Sequence, residues 1–470
     1  MKTTLATIAL LVSAAASARA EIPTALIQKL KPTVVNLEVS IQHGLNAEEP
    51  GVQRGTGFIV DAERGIIATN AHVVGTSPTR IKVVFEDGRT AEARRWHYDA
   101  WHDFAFVLLD KGTQPPKLEA VRLGDSFELR EQQDVLMIGN NDAQEYSIKF
   151  GKTANLHLCK GERHSATIQT TFDRAGGSSG SPVFDERGEV VGIHFAGTES
   201  TSFEMRIEYL KDALEQLRKS AGPGGAVRRG EIGVDLDIML VSDARKHFRL
   251  PEALAAKISA LRGDIKRVAY VESVAPLSPA EGKLQAGDVI LEVDGVWIGD
   301  DVYRFDRLVD AKVGGTVKLA VVRGGKELRI SLPVGDAEKD KTSSFVLFAG
   351  AVIHDLNPGL RLSYTIGSKG VFLTQGEKGS SFSGLGREGA HTKYLLTIEG
   401  IDGNSTPDLE TFIRAVGNFQ DGDYSYVQVQ DRWRTQSVTQ ARPVRLDLKY
   451  FPLRVFDWSP SQLEWLPRKP

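Results

Sequence analysis

Residues 175–197 read AGGSSGSPVFDERGEVVGIHFAG. Ser179 stands there among small residues, in the run G-S-S-G-S-P. Such a run lets the backbone turn sharply, exposes one hydroxyl and brings two backbone N–H groups towards one point. A serine hydroxyl is a poor nucleophile alone and needs a neighbouring base, usually a histidine held by a carboxylate. Two upstream segments supply both groups, ATNAHVV (68–74) and DAWHDFAFVLLD (99–110). His72 follows an apolar strand and Asp103 begins another. The order His–Asp–Ser, with gaps of 103 − 72 = 31 and 179 − 103 = 76 residues, suits a site lying between two barrel halves.

Outward from these segments, residues 33–210 alternate short apolar runs with turn residues: TVVNLEVSI, GFIVD, GIIATN, RIKVVFEDG, FAFVLLD, QDVLMIGN and EVVGIHF. β-branched runs bounded by Gly, Asp and Asn predict an all-β barrel or sandwich. The period changes over SFEMRIEYLKDALEQLRK (202–219), where Ile207, Leu210, Leu214 and Leu217 fall at helical spacing, so a closing helix is predicted. SAGPGGAVRRG (220–230) reads as a linker.

The second half repeats itself. VILEVDGVWIGDDVYRFDRLVDAKVGGTVKLAVVR (289–323) and YLLTIEGIDGNSTPDLETFIRAVGNFQDGDYSYVQVQD (394–431) share one layout. In each, a strand ends in an acidic residue and a Gly turn, and a short amphipathic helix, a Gly-containing turn and a strand follow. Two units of about 100 residues are too few for a solenoid. The polar stretch PVGDAEKDKTSS (333–344) is the boundary between them.

Of 470 residues, 41% are hydrophobic and 25% charged, a globular balance that excludes wholesale disorder. Lys and Arg number 58 against 61 for Asp and Glu, a net charge of −3, so the basic excess of a nucleic-acid binder is missing. Cys159 is the only cysteine, which excludes an internal disulfide and a paired-cysteine zinc site. Residues 1–20 have a positive start, a short apolar run and Ala18-Arg19-Ala20, the pattern of a cleavable secretory signal. A periplasmic or secreted location is therefore expected.

TNAHVV, the D-A-x-x-D-F-A stretch and G-S-S-G-S-P-V together resemble the signature blocks of chymotrypsin-fold serine proteases of the HtrA/Deg group. RRGEIGVDL (228–236) and SPAEGKLQAGDVILEVDG (278–295) resemble the ligand-loop and central segments of PDZ domains. The resemblance implies a mostly β chain: a double β-barrel protease domain over 21–220, a first PDZ domain over 228–336, a PDZ-like α+β domain over 345–450 and a tail over 451–470. It implies His72 as general base, Asp103 as its orienting carboxylate and Ser179 as nucleophile, with the backbone N–H groups of Gly177 and Ser179 as oxyanion hole.

In the first repeat, Glu231, Ile232, Gly233 and Val234 would form the loop that takes a peptide's terminal carboxylate. Phe348-Ala349-Gly350-Ala351 holds that place in the second, and its Gly/Ser-rich insertion (376–391) reads as a mobile loop. No nucleotide, nucleic acid, metal or other cofactor is called for. The implied partners are unfolded or damaged envelope proteins and peptide C-termini. A non-proteolytic PDZ chaperone or scaffold and a narrow regulatory protease are the alternatives. Relatives commonly form trimers through aromatic residues near the mature N-terminus, but 21–45 contains no Phe, Tyr or Trp, which leaves a homo-oligomer without that contact.

Asp173, six residues before Ser179, marks the place where trypsin-like relatives put the base of the specificity pocket. The resemblance nevertheless favours cleavage after small apolar residues. His97 and His102 read as surface residues, and His157, Cys159 and His164 match no closed zinc site.

Overall fold

The computed structural model describes residues 22–46, 48–141, 144–161, 163–173, 176–220, 227–261, 266–383, 385, 395–433 and 436–470. The segment read as a secretory signal lies outside them.

Val34–Ile41, Gly51–Asp61, Ile66–Thr69, Thr79–Phe85, Thr90–Asp99 and Phe104–Leu109 close into a six-stranded antiparallel barrel. Successive side chains on a strand face opposite ways, and here both faces are buried. Val35, Leu37 and Val39 fill the barrel interior with Ile59, Ile67 and Val107. Val34, Phe58 and Phe106 face a second barrel, where they meet Leu136, Phe184 and Ile193. Double burial explains why these strands read as continuous apolar runs.

The second barrel runs Asp134–Asn141, Gln144–Cys159, Ala166–Thr170, Ser202–Arg206, Glu189–Gly197 and Pro182–Phe184, the last pairing back onto the first. The helix predicted over 202–219 begins only at Ile207. Ser202–Arg206 is a barrel strand, and Ile207–Lys219 is the helix that lays Leu210, Leu214 and Leu217 on the core. Helical spacing starts at Ile207, and the five residues before it are recruited by strand pairing on both sides.

Both repeats take the predicted layout. Val289–Val293, Val302–Asp310 and Thr316–Arg323 correspond to Leu395–Ile401, Leu409–Val416 and Tyr424–Trp433. The acidic-Gly turns are the same turn twice: Asp294 and Gly295 have φ of 48° and 82°, Asp402 and Gly403 of 47° and 78°. Two consecutive positive φ values are what a tight hairpin turn requires. The sheet of the first repeat has the order Val234–Leu240, Arg267–Val274, Val289–Val293, Thr316–Arg323, Lys326–Pro333.

Residues 451–470 are not a tail. Arg454–Ser459 pairs with Ser344–Phe348 and Glu464–Arg468 pairs outside it, extending the sheet of the second repeat. Aromatic packing drives this, with Phe456 stacked on Phe345 at 4.8 Å and Trp465 edge-on to it at 5.0 Å. The Gly/Ser-rich insertion is anchored at its start, where Phe382 is fully buried in the core of the same repeat; residues 384 and 386–391 lie outside the described residues.

The units are docked on one another. Leu45 of the first barrel packs with Phe345 and Val352 of the second repeat. Trp101, Ala275 and Leu362, one from each unit, form a common cluster. The linker ends buried: Val227 is 1% and Arg229 5% exposed.

Candidate active site

His72 sits in the short helix Ala71–Val74, directly after the strand Ile66–Thr69. Asp103 precedes the strand Phe104–Leu109 and has a left-handed φ of 54°, a strained conformation for a residue with a Cβ. Its carboxylate grips the histidine twice. Oδ1 accepts from the His72 backbone N–H at 2.9 Å, and Oδ2 lies 2.7 Å from Nδ1. Asn70 Nδ2 donates to the Asp103 carbonyl at 2.8 Å, tying the two strand ends together. Asp103 is 7% exposed, while the His72 side chain is 43% exposed.

Ser179 comes from the second barrel, on a turn bracketed by Gly177 and Gly180 with φ of 83° and 86°. A Cβ on Gly180 would lie 2.1 Å from the Thr56 carbonyl oxygen, so only glycine fits. Thr56 fastens this turn to the first barrel: its N–H donates to Ser179 O at 2.9 Å and its Oγ1 to Gly177 O at 3.1 Å. Val73, next to His72, and Ser179 both abut Gly55, which brings the histidine helix and the serine turn to one strand. Among the described residues no acceptor takes the N–H of Gly177 or Ser179. On the far side the His194 backbone brackets the turn, accepting from Gly180 N at 2.9 Å and donating to Ser181 O at 3.0 Å. The His194 ring is tied to Ser202 and to fully buried Glu204. Neither Thr56 nor His194 stands out in sequence, because each acts through distant backbone.

Asp173 does not sit at the bottom of a pocket. It is exposed, paired to Lys149 at 3.0 Å, and that partner holds its carboxyl below the ordinary value. His97 and His102 are buried, at 5% and 2% exposure. His102 stacks on Tyr209 with ring centroids 3.9 Å apart, and burial pushes its pKa down to about 3. His164 lies between two carboxylates, Asp235 at 3.2 Å and Asp306 at 3.0 Å.

Those two carboxylates lie beside the loop expected to take a peptide terminus. Asp235 lies on the outer strand of the first repeat and Asp306 on its helix Val302–Asp310, so His164 enters the groove between them. Along the strand edge the Cys159 thiol donates to Leu236 O at 3.3 Å. The loop amide of Gly233 is taken by the chain's own Glu231 carboxylate, which burial pushes up to about 7. In the second repeat, the amide of Ala349 donates to Phe451 O at 3.0 Å. Its strand Ala351–Asp355 is paired on both edges, with Ser344–Phe348 and Val371–Gly376. Peptide addition needs a free strand edge, which the second repeat does not present there.

Three family models match in order: a trypsin-like peptidase domain at residues 55–193, a PDZ domain at 249–334 and a PDZ-like domain at 341–422. The chain thus joins a trypsin-like peptidase domain to two PDZ-type domains, the order expected from its resemblance to the HtrA group. It is 30% identical over 427 residues to the pro-apoptotic serine protease NMA111 of Meyerozyma guilliermondii, covering 88% of this chain and 42% of that protein. Against the same-named protein of Scheffersomyces stipitis it is 30% identical over 402 residues, covering 82% and 39%. The chain thus spans about two fifths of the length of these HtrA-group relatives. Among solved structures, the HtrA-type protease AlgW with tripeptide is 23% identical, with a TM-score of 0.49, 66% of this chain covered and 95% of that one. A serine endoprotease from Yersinia pestis is 20% identical, with a TM-score of 0.44, covering 67% and 99%.

Proposed function

We propose that the chain is an ATP-independent serine endopeptidase. The double grip of Asp103 on His72 carries this reading. With Nδ1–H held by the carboxylate, the histidine is fixed in the tautomer whose Nε2 is a base. Nε2 takes the proton of Ser179 Oγ as Oγ adds to the peptide carbonyl. The N–H groups of Gly177 and Ser179 donate to the developing oxyanion, usually the largest single contribution. Protonated His72 then gives the proton to the leaving amine, and water repeats the sequence to release the acyl group.

The substrates proposed are unfolded or damaged proteins met after export, with residues 1–20 as the export signal; N-terminal sequencing of the mature protein tests the latter. Cleavage after small apolar residues remains the proposal, and exposed Asp173 supports it by leaving no buried carboxylate there for Lys or Arg. Recognition of peptide C-termini falls to the first repeat alone, and there a ligand has to displace Glu231 and His164.

Casein degradation by the purified protein beside Ser179→Ala tests the activity. The variant should fold normally and lose on the order of 10⁴-fold or more in turnover. Equal turnover by the two proteins would overturn the assignment.

A further inference from the structure

Arg229 lies in the stretch that joins the second barrel to the first repeat. Its Nε and Nη2 donate to one oxygen of Asp99 at 3.0 and 2.7 Å, and its Nη1 donates to Asp310 Oδ2 at 2.6 Å. Asp99 ends a barrel strand and Asp310 ends the groove helix of the first repeat. Exposure is 4% for Asp99, and 5% for both Arg229 and Asp310. Two buried carboxylates at one place are tolerable only around a shared cation.

The other oxygen of Asp99 accepts the backbone N–H groups of Trp101 and His102 at 2.8 and 3.0 Å. This is an Asp-capped turn, and it delivers the chain into Asp103 at a left-handed φ. The turn is walled in from the same side. Trp101 packs at the junction of the three units, and His102 Nδ1 lies 2.9 Å from Ser165 Oγ. The placement of the Asp103 carboxylate on His72 therefore depends on a turn whose anchor is half barrel and half repeat.

We propose that Arg229 is a positioning residue for catalysis: by joining Asp99 to Asp310 it makes docking of the first repeat a condition for a correctly placed Asp103. The inference rests on the triad reading above. A displacement of about 1 Å in a catalytic group can cost on the order of 10²-fold in rate, and loss of the guanidinium leaves the buried Asp99 carboxylate with the backbone N–H groups of its own turn and only the more distant Lys341 to offset its charge. Docking through Arg229 is then a condition for turnover, and loss of that contact switches turnover off.

The full chain carrying Arg229→Met tests this. Expected are a kcat lower by roughly 100-fold with KM changed only a few-fold. Labelling of Ser179 by a fluorophosphonate should slow in parallel, and the low-field proton resonance of the His72–Asp103 hydrogen bond should be lost. Arg229→Lys should restore part of the rate, since an ammonium replaces the charge without the fork. Arg323→Met is the control for stability alone, because it removes a guanidinium from buried Asp288 within the same repeat. It should lower Tm and leave kcat and the resonance in place.

Unchanged kcat and resonance in Arg229→Met would overturn the proposal. So would an equal loss of both in Arg323→Met at the same fall in Tm. If Arg229→Met does not fold, Asp310→Asn replaces it: a several-fold fall in kcat supports the proposal, and wild-type kcat and resonance overturn it. Absence of fluorophosphonate labelling in the wild type would instead bring down the triad reading, a different result from an active wild type with an indifferent Arg229.

Discussion

Thr56 is the residue on which the meeting of the two barrels turns. It is fully buried, and its hydroxyl donates to Gly177 O and accepts from the Asn140 N–H at 2.9 Å. Thr56→Val keeps the shape and strands both partners, at about 1–3 kcal/mol for a buried group left unpaired. We expect a lower Tm and a kcat that falls more than KM rises, read by thermal melts and steady-state kinetics. An unchanged kcat would mean that the serine turn holds itself. Gly180→Ala should be worse, since its φ of 86° and the Thr56 carbonyl both forbid a Cβ; loss of soluble, active protein is the expected outcome. The pairing of His72 with Asp103 at two strand ends and the glycine-bracketed turn at Ser179 were legible because each residue sits in a short run whose neighbours betray its local conformation. Thr56 and Arg229 were not, because their partners lie 121 and 130 residues away, and an ordinary Thr or Arg carries no local mark of a distant bond.

At the scale of elements, the groove of the first repeat is closed by a titratable group. Burial would lower the pKa of His164, but Asp306 and Asp235 overcome it and raise it to about 9 from an ordinary 6.5. The neighbouring Tyr209 hydroxyl donates to Asp306 at 2.7 Å, and its own pKa is pushed up by burial and by that carboxylate. A histidine raised in the folded state gives its full stabilisation below pH 6.5 and loses it as pH climbs through about 9. The seam between second barrel and first repeat should therefore loosen between those values. Melting from pH 6 to 9.5 should show Tm falling by on the order of 5 °C, with a flatter profile in His164→Gln; identical slopes would exclude His164 as the cause. The repeats themselves were readable from their paired Asp-Gly turns and helices. The filling of their ligand edges was not, because a strand edge looks the same in sequence whether solvent, a peptide or the chain itself lies beside it.

For the whole molecule, the last twenty residues decide how the second repeat stands. Their strands cover Ser344–Phe348 and bury Phe345 under Phe456 and Trp465. Trp458 also receives the Arg95 guanidinium at 4.7 Å, linking the C-terminus to the first barrel. Ending the chain at residue 450 strips that aromatic stack and opens a strand edge, so aggregation or proteolysis of the second repeat is expected. Limited proteolysis of the truncated and full chains compares them directly, and equal resistance would make the last strands dispensable. Polar composition hid these strands: Arg454–Ser459 and Glu464–Arg468 interleave aromatic with charged residues, and they resemble a solvated tail until a partner strand is placed beside them.

Cys159 turns the seam into something that can be timed. Its thiol is buried against Leu236 O, and burial pushes its pKa well above the ordinary value, so the closed form should resist alkylation. Because the chain has no second cysteine, every modified molecule records one event, the parting of barrel and repeat. When reclosing outpaces the reagent, the alkylation rate divided by that of an unfolded control gives the equilibrium fraction open. Molecules so modified carry a bulky adduct at the strand edge and cannot close again, and their residual turnover reads the activity of the undocked enzyme without a single mutation.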